Sequence, residues 1–159
     1  MRRVRRTIGR LIQISWSSRL LLLEAALWLG LARLALLIVP FRRLAPILGR
    51  KMAESPLEDS SDPEVLERVA WAVRVASRYT PWQTKCLAQA VAGKAMLRRR
   101  GLASTLYLGL ARSGDAGLEA HAWLRCGRRI LTGEDLMDRY TAVARFAETP
   151  PVKFAGAQR

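Results

Sequence analysis

The sequence predicts an α+β fold, with helices first and an antiparallel sheet after them. Three observations carry this. An apolar run fills residues 20–40; residues 63–79 and 84–100 repeat their apolar positions at helical spacing; from residue 104 onward the segments shorten to strand length and are separated by turn residues. No internal repeat interrupts this order. At 159 residues, 50% apolar and 25% charged, the chain is long enough for one ordinary core.

The chain starts with a basic run, MRRVRRTIGR, followed by the apolar stretch Leu20 to Pro40. That stretch is too long for a signal-peptide core, and no small-residue cleavage site follows it. Glu24 and Arg33 lie inside it, nine residues apart, hence on opposite sides of a helix, which makes a lipid-spanning role costly. Three readings stay open: a helix packed against the rest of the protein or a partner, an interfacial helix with basic flanks, and a membrane span. Pro40 and Pro46 break the helix, and RRLAPILGRK predicts a short second one. The segment ESPLEDSSDP reads as a linker, so the expected division is a basic, apolar helical segment 1–53, a linker 54–62 and a domain 63–159.

Asp62 predicts a helix cap, with Pro63 at the first position and Glu64 in the first turn. Val65, Leu66, Val69, Ala72, Val73 and Ala76 form its apolar face, and Pro81 ends it near Tyr79. Thr84 is the expected cap of the next helix and Gly101 its left-handed stop, with Arg98, Arg99 and Arg100 in the last turn, where positive charge suits the helix dipole. STLYLGL (104–110) reads as a strand, SGDAG (113–117) as a turn, AHAWLRC and RRILT as a hairpin around Gly127, and YTAVARF (140–146) as a further strand.

Twenty-seven basic residues against 13 acidic ones leave +14, of which +9 lies in residues 1–50. Such a surface suits an acidic partner: nucleic acid, anionic lipid or an acidic peptide. No nucleic-acid motif is present and the aromatic residues are not interleaved with the basic ones, so nucleic acid is not expected. Cys86 and Cys126 are too few for a disulfide scaffold and nothing marks export, which points to a reducing cytosol. No CxxC or Cys/His cluster has metal-ligand spacing, so neither a metal nor a cofactor is expected.

The chemistry rests on Cys86 and His121. Cys86 falls just inside a helix start, where unpaired N–H groups and the helix dipole favour a thiolate. His121 is the one imidazole in the chain, on a strand 35 residues on. With Gly127 and Arg128 as a two-residue turn, 126 pairs with 129, 124 with 131 and 121 with 134. Glu134 is then opposite His121 and fit to hold its tautomer. A one-residue bulge brings in Gly133 or Asp135 instead. Cys126, at an odd offset from His121, faces the other way and reads as core, as do Trp82 and Trp123. The backbone N–H of Cys86, with Gln83, is the candidate oxyanion holder.

PWQTKCLAQAVAGKAMLRRRGLASTLYLGL followed by EAHAWLRCGRRILTG resembles the peptidase half of the B protein of lasso-peptide biosynthesis, in the transglutaminase-like, papain-related superfamily. The resemblance covers roughly residues 63–147. It implies a cysteine peptidase that removes the leader from a ribosomally made precursor peptide, with Cys86 as nucleophile, His121 as base and Glu134 or Asp135 as the acidic third member. It also implies two partners besides the precursor and its leader: a separate leader-binding protein and a cyclase resembling asparagine synthetase. The alternatives are a non-catalytic scaffold that tethers the leader, the cyclase or a membrane through its basic surface, with peripheral membrane contact through residues 11–40, and transamidation in place of hydrolysis.

Overall fold

The computed structural model describes residues 15–57, 62–80, 85–113 and 117–148. The elements are α1 (Trp16–Ile38), α2 (Phe41–Leu44), a 3-10 turn (Ala45–Leu48), β1 (Arg50–Lys51), α3 (Pro63–Tyr79), α4 (Cys86–Arg99), β2 (Thr105–Ser113), β3 (Gly117–Cys126), β4 (Arg129–Thr132), a 3-10 helix (Glu134–Arg139) and β5 (Thr141–Ala147). The five strands form one sheet in the order β1-β5-β2-β3-β4, each pair antiparallel. The α+β layout is therefore present as predicted, with three long helices layered against the sheet.

The helix ends follow their sequence signals. Asp62 Oδ1 accepts the Glu64 N–H at 2.9 Å, Pro63 opens α3, and the helix closes at Tyr79 ahead of Pro81. At the end of α4, Gly101 adopts φ +70°, and the Leu102 N–H reaches back to the Leu97 carbonyl at 3.1 Å. That left-handed residue is the stop expected from the sequence. At the other end of α4 the cap position belongs to Lys85, whose side chain makes no capping bond; Thr84 lies outside the described residues.

α1 buries Leu21, Ala25, Leu29 and Ala32, a stripe at three- and four-residue spacing, against α3 and α4. α3 turns Leu66, Val69, Ala72, Val73 and Ala76 inward. α4, with Ala88, Ala90, Ala92, Met96 and Leu97 all buried, lies between this helical layer and the inner face of the sheet, where Leu106, Ala122, Leu124 and Phe146 complete one cluster. The described residues before 53 thus contribute Leu21, Ala25, Leu29 and Leu48 to the same core. β1 pairs with β5, the Ser55 N–H donates to Thr105 Oγ1 at 2.8 Å, and Arg125 Nη2 donates to the Ser55 carbonyl at 2.9 Å. Ser55, inside the expected linker, is tied to the sheet by these bonds; residues 58–61 lie outside the described residues.

α1 is long and apolar enough to cross a membrane by length and composition alone, a test that the core helix of a soluble protein also passes. Its acid has a partner within the fold. Glu24 accepts from Arg100 Nη2 at 2.7 Å and Nη1 at 3.1 Å, and Arg99 stands 3.6 Å away. The Arg100 hydrogen bonds hold the Glu24 carboxyl below its ordinary range; burial opposes them, and the charges of Arg100 and Arg99 add to them. The arginines at the end of α4 thus clamp α1 as well as suiting the helix dipole. Elsewhere, Lys94, 3% exposed, donates to the Ser104 carbonyl at 2.7 Å and to Glu148 Oε2 at 2.8 Å, and burial lowers its pKa.

A depressed carboxylate pKa stabilises the fold fully above the ordinary value of 4.5 and ceases to do so as pH falls through the folded value. Glu24→Gln should therefore lower stability by about 1–2 kcal/mol near neutral pH. The gap between wild type and variant should close below the ordinary carboxylate value. Thermal or urea unfolding of both proteins at the two pH values checks this.

Candidate active site

Cys86 is the first residue of α4 and is half-buried against the core cluster. The Lys85 side chain does not cap this end of the helix, where the first-turn N–H groups and the positive end of the helix dipole favour negative charge. Neither cysteine is in a disulfide. Cys126 is buried, and its thiol donates to the Ala103 carbonyl at 3.3 Å, which bears out its reading as a core residue.

His121 lies near the middle of β3. Alternation puts it on the outer sheet face with Trp123 and Arg125, while Ala122, Leu124 and Cys126 face α4. A row of rings runs along that outer face. Tyr107 stacks on Trp123 at 5.4 Å and 4°, Trp123 lies 6.1 Å from His121, and His121 lies 5.0 Å from Tyr140. The row depends on Gly109, directly across from His121 on β2: a Cβ there would come within 2.7 Å of the Trp123 ring and 2.8 Å of Tyr140 Cβ.

The neighbour of the imidazole differs from the regular hairpin register. Cys126 pairs with Arg129 as expected, but Leu124 pairs with Thr132 instead of residue 131. Leu131 is the extra residue of a β-bulge and turns into the core, 6% exposed. β4 then ends at Thr132, and Gly133 takes a left-handed conformation, φ 78° and ψ 15°, that leads the chain into the 3-10 helix. Glu134 is therefore not placed opposite His121. It and Asp135 occupy the exposed first turn of that helix, and the partner of His121 Nε2 is the Gly133 carbonyl, at 2.9 Å. Because a carbonyl only accepts, Nε2 carries the proton and Nδ1 keeps the lone pair.

Tyr140, expected as the first residue of a strand, precedes β5 and packs on the imidazole. Its ring meets His121, and its hydroxyl donates to Glu119 Oε2 at 3.2 Å. Partial burial is the main reason its phenol is held above the usual value; the hydrogen bond to Glu119 and that carboxylate's charge add to it, and Cys86 is near enough to contribute as well. The two candidate residues are Cys86, at the head of α4, and His121, whose ring meets Tyr140. Among the described residues no hydrogen bond joins them directly. Gln83 and Trp82 lie outside the described residues. No group of three or more metal-ligating side chains occurs among the described residues.

A thiol at a helix head and an imidazole whose Nε2–H is held by a backbone carbonyl are groups suited to covalent chemistry at a carbonyl. The comparison with protein families agrees with that class. The chain belongs to the transglutaminase-like superfamily, whose family model matches residues 28–145, a span that includes the second half of α1. No curated protein and no solved structure is matched.

Gly133 is the residue on which the ring's placement turns. A Cβ there would stand 2.5 Å from the Ala122 carbonyl oxygen and 3.0 Å from His121 Nε2, on top of the cost of a left-handed backbone. Gly133→Ala should destabilise the fold by about 2 kcal/mol. Because His121 is the only histidine, its ring nitrogens give one set of ¹⁵N NMR signals. In the neutral ring these should report protonation at Nε2 in the wild type and a mixed tautomer in the variant. A wild-type ring protonated at Nδ1 would contradict the assignment.

Proposed function

We propose that this protein is a cysteine peptidase of the lasso-peptide B-protein type, which removes the leader from a ribosomally made precursor peptide. The observations that support the proposal are a thiol, Cys86, at the head of α4 and an imidazole, His121, whose Nε2–H is held by the Gly133 carbonyl so that Nδ1 is left as the base. Membership of the transglutaminase-like superfamily supports a cysteine nucleophile in this position. The words PWQTKCL and AHAWL support the narrower assignment to leader removal.

In the proposed reaction His121 Nδ1 takes the thiol proton as Cys86 Sγ adds to the scissile carbonyl. The oxyanion is held by the backbone N–H of Cys86 at the helix head. His121 then gives the proton to the departing amine of the core peptide, and water hydrolyses the thioester and frees the leader. Hydrogen bonds of this kind commonly tighten only when substrate is bound, and rotation about χ1 of Cys86 moves the sulfur relative to the imidazole. The third role falls to the Gly133 carbonyl, which fixes the ring tautomer. Glu134 and Asp135, exposed in the next turn, act on the imidazolium only through solvent. The leader is presented by a separate leader-binding protein, and the freed core passes to an asparagine-synthetase-like cyclase.

With the cognate precursor and its leader-binding protein, Cys86→Ala and His121→Ala should each abolish leader release, with helix and sheet content retained by circular dichroism. Glu134→Gln should keep activity within about tenfold, since removing a solvent-exposed charge costs little. Mass spectrometry separates hydrolysis, which leaves a free leader carboxylate, from transfer of the leader to an amine. Undiminished cleavage by Cys86→Ala rules the peptidase assignment out.

A further inference from the structure

α1 is apolar on two sides. Its inner stripe is buried in the core. On the opposite side Trp16, Leu20, Leu23, Leu27, Leu34 and Ile38 recur at helical spacing, each more than half exposed. Over 23 residues this outer stripe runs about 33 Å. No charge falls within it, and Glu24, at its border, is taken up by Arg100 and Arg99. An exposed apolar patch of this extent marks an interaction surface.

The charges around the stripe select the occupant. Between residues 15 and 53 the chain carries Arg19, Arg33, Arg42, Arg43, Arg50 and Lys51 against Glu24 alone. Arg42 and Arg43 follow the end of α1 directly and are exposed, and Arg19 lies over the Trp16 ring at 5.3 Å at the other end. A second copy docked on this face would bring like charges together, whereas lipid phosphates would neutralise them. Beside the stripe, an apolar groove of about 490 Å³ is walled by Leu31, Leu36, Ile47 and Val91, with Arg98 and Arg99 on its lining. It offers acyl chains a place next to cationic side chains.

We propose that the outer face of α1 docks in the plane of an anionic phospholipid bilayer. The helix lies on the membrane rather than crossing it, because crossing would strip Leu21, Ala25 and Leu29 from α3 and α4 and break the Glu24–Arg100 pair. Trp and Arg at one end and Arg42 and Arg43 at the other sit at headgroup level. The site chemistry is not involved, so this inference stands or falls separately from the peptidase assignment.

Co-sedimentation of the full chain with vesicles tests it. Wild type should bind phosphatidylglycerol-containing vesicles at least about tenfold more tightly than pure phosphatidylcholine vesicles, given about 1 kcal/mol per basic side chain at the surface. Trp16 emission should shift to the blue on binding. Leu23→Glu/Leu27→Glu/Leu34→Glu, all at exposed positions, should lose binding while circular dichroism stays unchanged, and Arg42→Glu/Arg43→Glu should weaken binding to the anionic vesicles. Cys86→Ala should sediment like wild type. Three results would overturn the proposal: no preference for anionic vesicles, undiminished binding by the triple variant, or a lipid-free dimer that the triple variant dissociates.

Discussion

The close approach of α4 to β3 is the constraint on which the molecule depends. At Gly93 a Cβ would stand 2.8 Å from Leu124 Cδ2, so the helix and the strand meet with no side chain between them on the helix side. The neighbouring Ala88, Ala90 and Ala92 keep the rest of that surface small. This contact fixes the height of α4 above the sheet and therefore where its head, Cys86, emerges. α1 and α3 close the core from the other side, and the clamp of Arg99 and Arg100 on Glu24 ties the far end of α4 to α1. The thiol is positioned by packing along the whole helix as well as by its own contact with the core cluster.

The imidazole is positioned by different means. β3 supplies a rigid strand, but the ring's rotation and tautomer come from one backbone carbonyl, and that carbonyl points at Nε2 because Leu131 bulges into the core and Gly133 turns left-handed. A carbonyl can fix the tautomer, but unlike a carboxylate it contributes no full charge to offset an imidazolium. The carboxylate bonded to the adjacent Tyr140 is Glu119, on the same strand face as His121.

Much of the fold was legible because its signals are local. The Asp62-Pro63 start of α3, the Gly101 stop of α4 and the Gly127-Arg128 turn are set by residues within a few positions of each other, and each formed where its chemistry directs. Cys86 at a helix head and His121 on a strand were legible for the same reason. What was not legible depends on distant partners. The two-residue β1 carries no periodicity and exists because β5 pairs with it. The bulge at Leu131, whose side chain enters the core, decides between the partners that the hairpin leaves open and gives His121 the Gly133 carbonyl rather than Glu134. Tyr140 read only as a strand residue, because its role follows from the missing Cβ of Gly109 on another strand. The packing of α1 and β1 onto the core and sheet was hidden by the acidic, Ser- and Pro-containing stretch after them, in which Ser55 is held by Thr105 and Arg125.

The central claim is that Cys86 and His121 act as one chemical unit. The most direct measurement is the rate of alkylation of Cys86 near neutral pH, followed by peptide mass spectrometry so that buried Cys126 does not interfere, in wild type and in His121→Ala. If the imidazole draws the thiol proton, the wild-type sulfur reacts at least about tenfold faster than that of the variant. Equal rates in two folded proteins would mean that the two side chains are chemically independent, and the account of the site would be wrong.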